Sequence, residues 1–307
     1  MAKDQQQIPF KTRLKAWWEG YDPADLMRRH GAADSEPAFE PPPGPHPADE
    51  KPEPVVAYSE SHVQFLELAW GQGFTGPNSE EFILDLARPL GLGSKHTILE
   101  IGAGLGGGTR AIAKLFGVWI EGMEANATLA EKGMERSVKA GLGERAPIRH
   151  YDPEALDFPE SRYDAVFSKE AFFRIADKKR LFNGLKGTLK PGGQLLFTDF
   201  VAAAGAEDAA LKAWRDSEPE SPALGDIDEV TQYLNGSGLN VRICEDISDR
   251  YRRVVLGEWA RLLGKVQRRD LPQRWHNYLT AVTELEHNRM AALDGGSLKV
   301  YRFHTYK

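Results

Sequence analysis

From residue 96 onward, short runs of aliphatic and β-branched residues alternate with amphipathic stretches of helical periodicity. This alternation predicts repeated β-α units, in which parallel strands form one sheet and helices cover it. Four runs predict strands clearly, at residues 96–101, 118–123, 163–167 and 194–200. Three weaker runs predict further strands, at residues 147–151, 239–245 and 297–306. The pattern therefore predicts an α/β protein with seven strands.

Two segments interrupt the alternation of strands and helices. Residues 248–293 have the periodicity of two helices, and the pattern breaks near Leu271 and Pro272 because proline cannot continue a helix. Residues 201–238 form another insertion, which follows the strand at 194–200. Inserted segments of this kind often carry function, so we predict that these helices form a lid or a wall of a substrate site.

The first 54 residues differ in composition from the rest of the chain. Residues 37–54 contain eight of the 19 prolines, which favours an extended linker. Residues 1–36 mix basic side chains with apolar ones at helical spacing and include the adjacent Trp17 and Trp18. We predict a helical arm over 1–36, a linker over 37–54 and one domain over 55–307. The arm would either pack on the domain or dock to a membrane surface or a partner protein.

Composition and charge narrow the possible functions. The chain has 39 Lys and Arg residues and 45 Asp and Glu residues, so its net charge of −6 provides no general attraction for nucleic acid. No apolar run reaches the roughly 18 residues of a membrane span, and the first residues lack the apolar core of a signal peptide. We therefore expect a cytoplasmic protein. Cys244 is the single cysteine and the histidines lack metal-ligand spacing, so we expect neither a disulfide nor a metal site.

The segment with the clearest chemical meaning connects the first predicted strand to the next helix. Five glycines lie between residues 102 and 108, among them Gly102, Gly104 and Gly106, and the helix is predicted to begin at Arg110. Glycine permits unusual backbone angles and lets a ligand approach the main chain, while the free amides of the next helix face that ligand. Such a turn could bind NAD, FAD or S-adenosylmethionine, or simply be a tight connection.

Three carboxylates help to distinguish these ligands. Glu124 ends the second predicted strand, 22 positions after Gly102, where an acid can accept hydrogen bonds from a ribose diol in either NAD or S-adenosylmethionine. Asp152 follows the third strand and could accept the exocyclic amine of an adenine. Glu100 precedes Gly102 by two residues and could meet an aminoacyl ammonium group, which NAD lacks. The set favours S-adenosylmethionine.

Taken in order, Glu100, residues 102–106, Glu124, Asp152 and the turn at 190–193 resemble the motifs of class I S-adenosylmethionine-dependent methyltransferases. The resemblance implies a Rossmann-like, seven-stranded, mostly parallel sheet with one antiparallel strand and helices on both faces. It also implies S-adenosylmethionine as cofactor. The expected activity is methyl transfer to nitrogen, carbon or oxygen of a small-molecule or lipid-derived acceptor.

A closer similarity includes residues 58–74, 102–109, 167–171 and 246–249, which look like phosphoethanolamine N-methyltransferases and related small-molecule enzymes. This resemblance implies that Lys169 contacts the cofactor and that Tyr58 is one member of a catalytic tyrosine–histidine pair. Arg174 stands where the histidine would be, and a guanidinium group cannot accept a proton at neutral pH. The family's phosphate clamp of Tyr, Arg and Lys does not carry over either. The chain instead has acids at 216, 218 and 220, which would repel a phosphate, so a phosphorylated substrate is not expected.

Other residues are candidates for the missing base. His62 lies four residues after Tyr58, so we predict that both share one helix face and that His62 replaces the absent histidine. The alternative is a purely structural histidine. Glu170 and Asp199 lie at strand ends, where acids either line a ligand site or cap the following helix.

Two further choices stay open in the sequence. Trp214 and Trp259 either form an aromatic wall for a cationic amine or belong to the core. The chain is either an active enzyme or a catalytically silent relative that recruits a partner through its N-terminal helix. Arg174 favours the silent protein, whereas the intact cofactor motifs favour the enzyme. Methylation of protein or RNA is disfavoured by the acidic charge balance.

Overall fold

The structure is a computed structural model that describes residues 56–268 and 271–307. The predicted arm at residues 1–36 and the predicted linker at 37–54 lie outside these residues, so their roles stay predictions. No helix within the described ranges is long and apolar enough to span a membrane.

The described residues contain one seven-stranded sheet with the order β3-β2-β1-β4-β5-β7-β6. Its strands are β1 (Thr97–Ile101), β2 (Trp119–Glu124), β3 (Ile148–His150), β4 (Tyr163–Lys169), β5 (Leu189–Ala202), β6 (Asn240–Asp246) and β7 (Leu298–Tyr306). The pairs among β1 to β5 are parallel, while β7 is antiparallel to both β5 and β6. All seven predicted strands are confirmed, as is the single antiparallel strand.

Helices connect and cover these strands. They are α1 (Glu60–Trp70), α2 (Glu80–Ala87), α3 (Gly107–Phe116), α4 (Ala127–Lys139), α5 (Lys178–Thr188), α6 (Ala209–Ser217), α7 (Ile227–Gly236), α8 (Ser248–Arg268) and α9 (His276–Asp294). Three 3₁₀ turns lie at Arg88–Leu90, Phe172–Arg174 and Gln273–Trp275. The predicted break near Leu271 is confirmed, because α8 ends before it and α9 begins after it. The lid function of α6 to α9 stays a prediction.

The core explains why the carboxyl ends of the central strands are fixed in place. β1 and β4 are buried along most of their length, as expected for parallel strands covered on both faces. An aromatic cluster packs beside them, in which the rings of Phe197 and Phe303 stack at 4.7 Å and Phe172 meets Phe197 at 5.0 Å. This packing holds the 3₁₀ turn after β4 against β5. The turn that follows β4 is therefore held by the core next to the end of the sheet.

Candidate active site

A cavity of about 320 Å³ lies at the carboxyl ends of β1, β2 and β4. In open α/β sheets, ligands bind at this edge of the sheet. Six of the nine site residues predicted from the sequence line the cavity, namely Tyr58, Glu100, Gly102, Gly104, Glu124 and Lys169. The other three, His62, Gly106 and Asp152, are not part of its lining.

The loop between β1 and α3 forms one wall, and its glycines have specific reasons to be glycine. Gly102, Gly104 and Gly106 have φ values of 81°, 55° and 75°, which residues with a Cβ atom rarely adopt. A Cβ atom on Gly102 would lie 2.4 Å from the Cβ of Ala171. Gly106 is buried and caps α3, so its role is packing. The helix begins at Gly107, three residues earlier than predicted.

Glu124 supports this loop from the neighbouring strand. It is the last residue of β2; its Oε2 accepts the N–H of Gly104 at 2.8 Å and its Oε1 accepts the N–H of Asn126 at 2.9 Å. Burial raises the pKa of Glu124, and these two backbone donors oppose the rise. The carboxylate therefore fixes the glycine loop and still lines the cavity.

Glu100 differs from Glu124 because one of its oxygens lacks a protein partner. The side chain is buried in β1, and Oε2 has no hydrogen-bond partner among the described residues. Burial raises the pKa of Glu100 to about 7. An unsatisfied buried acceptor is costly, so this oxygen is suited to a hydrogen-bond donor of a ligand in the cavity.

Tyr58 and His62 are in contact, but not as the sequence predicted. Tyr58 lies before α1, whose N-cap is Ser59, and has a left-handed φ of 57°. The prediction that both residues share a helix face is therefore wrong. Instead, the Tyr58 N–H donates to Nδ1 of His62 at 3.0 Å, and His62 stacks between the rings of Tyr58 and Tyr278 with centroid distances of 5.8 and 4.7 Å. His62 lies behind Tyr58 rather than at the cavity.

The protonation of these two groups follows from their burial. Burial raises the pKa of Tyr58, so its phenol keeps its proton at neutral pH. Burial also lowers the pKa of His62, so its imidazole is neutral there. The phenol can thus donate a hydrogen bond into the cavity. A role for His62 as the base is not supported by its position.

The remaining predicted cofactor residues have different surroundings. Asp152 is exposed and its Oδ1 accepts the N–H of Glu154 at 2.8 Å, although its neighbours Tyr151 and Pro153 line the cavity. Lys169 pairs with Glu170 and lies 5.8 Å and 5.7 Å from the ring centroids of Phe82 and Tyr251. An adenine-binding role for Asp152 therefore stays a prediction.

Four charged residues from three parts of the chain form another wall, which we call the charge cluster: Arg174, Glu218, Glu286 and Arg289. Arg289 donates from Nη1 to Oε1 of Glu286 and from Nη2 to Oε1 of Glu218, both at 2.6 Å. Arg174 donates from Nη2 to Oε2 of Glu218 at 3.0 Å. The indole N–H of Trp214 also donates to Glu218 at 2.9 Å. The roles of Glu286 and Arg289 were missed in the sequence, where only their spacing of three on a helix was visible.

The two candidate aromatic wall residues belong to the core. Trp214 and Trp259 are fully buried and do not line the cavity, so the core alternative is confirmed. The three nearby acids differ in exposure. Asp216 is exposed, Glu218 is buried, and Glu220 is exposed at the cavity rim.

Of the two acids proposed as alternative bases, only Glu170 lines the cavity. Its Oε1 accepts a hydrogen bond from the Thr198 hydroxyl at 2.6 Å. Asp199 is buried behind the lining, where it accepts the N–H of Phe173 at 3.1 Å. Burial raises the pKa of Asp199 to about 7.

Residues 98–193, which contain the glycine loop and Glu124, match the model of a family described as a methyltransferase domain. The chain resembles class I methyltransferases. Over 207 residues it is 26% identical to phosphoethanolamine N-methyltransferase 1 of Arabidopsis thaliana, an alignment that covers 67% of this chain and 41% of the relative. The chain thus spans about two fifths of the length of that relative.

Solved structures confirm the fold. Phosphoethanolamine N-methyltransferase 2 of Haemonchus contortus, in complex with S-adenosyl-L-methionine, matches with a TM-score of 0.72 and 21% identity over 82% of this chain and 60% of that one. A putative sarcosine dimethylglycine methyltransferase from Galdieria sulphuraria matches with a TM-score of 0.68 and 18% identity over 81% and 98% of the two chains. The Rossmann-like methyltransferase fold predicted from the motifs is therefore confirmed.

Proposed function

We propose that this chain is an S-adenosylmethionine-dependent methyltransferase that acts on a small-molecule acceptor. The observation that carries the proposal is that Glu100 and Glu124 line the same cavity beside the glycine loop. One buried oxygen of Glu100 has no hydrogen-bond partner among the described residues. Relatives named as methyltransferases support it.

The side chains of the cavity fit this cofactor. S-adenosylmethionine supplies a methyl group bound to a positively charged sulfur. Glu124 would hold the ribose hydroxyls, since it ends β2 at the cavity. Glu100 would accept the ammonium group, because its free oxygen needs a donor. The glycine loop allows close approach of a ligand to the backbone.

The chain's remaining task is to orient the acceptor and exclude water, because methyl transfer is an in-line displacement. Tyr58 is suited to donate a hydrogen bond that orients the attacking group, since its phenol stays protonated. Arg174 cannot act as a base. Glu170 follows β4 at the cavity and would have to release Lys169 or the Thr198 hydroxyl before it could accept a proton.

Calorimetric titration with S-adenosylmethionine and S-adenosylhomocysteine tests the proposal. We expect both to bind, and Glu124→Ala to weaken binding about 5- to 150-fold, because two hydrogen bonds to the ribose would be lost. Glu121→Ala is the matched control, since Glu121 lies on the same strand outside the cavity lining and should change affinity less than about twofold. A wild-type chain that binds neither compound would overturn the proposal.

A further inference from the structure

The charge cluster leaves few open groups for a ligand to use. Three cationic side chains line the cavity, Lys169, Arg174 and Arg289, and each already pairs with a carboxylate. Arg289 pairs with two carboxylates, those of Glu218 and Glu286. A phosphate on the acceptor would therefore have to displace an existing ion pair.

Glu286 differs from these cations, because one of its two carboxylate oxygens has no partner among the described residues. The residue is 2% exposed, and its Oε1 accepts a hydrogen bond from Arg289. Within the described ranges, Oε2 of Glu286 has no hydrogen-bond partner, and the residue lines the cavity. Nε of Arg289 is also buried without a partner, but it belongs to a guanidinium group that two carboxylates already neutralise. The clearest unsatisfied group beside the cavity is thus a buried acceptor for an N–H or O–H group.

The charge of the whole lining favours a positively charged donor. Besides Glu100, whose pKa burial raises to about 7, five acids line the cavity, at Glu124, Glu170, Glu218, Glu220 and Glu286, against the three cations. In a partly buried cavity this excess attracts a cation and repels an anion more strongly than it would in water. An ammonium group meets both conditions, because it is cationic and carries N–H donors.

We propose that the charge cluster recognises the methyl acceptor, that Oε2 of Glu286 accepts an N–H from it, and that the acceptor is an amine without a phosphate group. The inference rests on the proposed function and specifies its substrate class. Glu286 is assigned to recognition, not to the chemical step. The nitrogen attacks as the neutral amine, after the ammonium form has given its extra proton to water, and Glu286 is not required for that step. The N–C bond then forms as the S–CH₃ bond of the donor breaks, and the sulfur keeps the electron pair of that bond.

The first experiment uses the wild-type chain, labelled S-adenosylmethionine and a matched pair of acceptors. Ethanolamine and phosphoethanolamine differ only in the phosphate group, and putrescine adds a second anion-free amine. We expect kcat/KM for at least one anion-free amine to exceed that for phosphoethanolamine by about tenfold or more. Preference for phosphoethanolamine, or transfer to none of the amines, would overturn the inference.

The second experiment changes Glu286 itself. Glu286→Gln keeps the oxygen that Arg289 uses but replaces the open acceptor by a donor. We expect KM for the preferred amine to rise at least about tenfold, with a smaller change in kcat. Glu284→Gln is the control, because Glu284 is exposed on the same helix. An unchanged KM in Glu286→Gln would contradict the assignment. Binding of S-adenosylhomocysteine, measured separately, shows whether the proposed function survives such a failure.

Discussion

The cavity has two halves that are built in different ways. The glycine-loop half consists of Glu100, Gly102, Gly104 and Glu124, which lie within 25 residues, and backbone amides make its key contacts. The charge-cluster half joins side chains that are far apart in sequence, since Glu218 and Arg289 are separated by 71 positions. A backbone loop is determined locally, whereas an ion-pair network exists only once the helices have packed.

Removing Glu218 should have the largest effect on stability. Glu218 is buried and pairs with Arg174 and Arg289, and it accepts the indole N–H of Trp214. Glu218→Ala would leave Arg289 buried with one partner fewer, so we expect the free energy of unfolding to fall by about 3–5 kcal/mol. Denaturant unfolding measures this change.

Asp216 provides the control for that variant, because it forms an exposed ion pair with Lys212 on the same helix. Asp216→Ala should cost less than about 1 kcal/mol, as is usual for surface pairs. Equal losses in the two variants would show that burial of the charge cluster contributes nothing.

One acid from each half, Glu100 and Glu218, should respond to pH in opposite directions. Burial raises the pKa of Glu100 from 4.5 to about 7, so the native state keeps a proton that the unfolded chain releases. The contribution of Glu100 to the free energy of unfolding is therefore present below pH 4.5. It is lost as the pH rises towards 7, by about 3 kcal/mol in all. For Glu218, burial raises the pKa, but the guanidinium groups of Arg289 and Arg174 lower it below its ordinary value. The contribution of Glu218 to the free energy of unfolding is therefore present at neutral pH and is lost as the pH falls through this lowered pKa.

Glu100→Gln isolates the first of these effects. The free energy of unfolding of the cofactor-free variant should change less between pH 5 and 7.5 than that of the wild type. Burial also raises the pKa of Asp199, to about 7, and the pKa values of Glu124 and Glu286, so these three groups leave a residual slope of the same sign. Parallel curves for variant and wild type would mean that Glu100 does not hold the proton.

The same contrast explains what the sequence can predict. The seven strands and the glycine loop follow from hydrophobic runs and glycine spacing, so both could be predicted and are confirmed. The contact of Tyr58 with His62 was expected from helical spacing, but it arises from a backbone hydrogen bond before the helix. The pairing of Glu218 with Arg289 left no local signal, because it depends on how α6 and α9 pack.

The glycine-loop half should be sensitive to one added methyl group. Gly102 and Gly192 both have positive φ, 81° and 74°, so alanine at either position costs about 1–2 kcal/mol in backbone strain. Only at Gly102 does the new Cβ meet another atom, the Cβ of Ala171 at 2.4 Å, whereas Gly192 has open space. We expect Gly102→Ala to be less stable than Gly192→Ala by about 2 kcal/mol, as measured by denaturant unfolding. Equal free energies of unfolding for the two variants would show that the loop shifts to accommodate the new Cβ at little cost.

Tyr58 lies where the two halves meet, since burial and the charges of both Arg174 and Glu124 affect its pKa. Tyr58→Phe keeps the ring, which stacks on His62, and removes only the hydroxyl. If the phenol orients the acceptor, kcat should fall at least about tenfold, or about 1.4 kcal/mol, with little change in affinity for S-adenosylhomocysteine. Since the Tyr58 pKa is raised, this activity should not increase as the pH approaches 10. His62→Ala removes the stacking and the acceptor for the Tyr58 N–H, so it should lower kcat less than Tyr58→Phe does. A larger loss in His62→Ala, or full turnover in Tyr58→Phe, would show that the phenol is not the group that orients the acceptor.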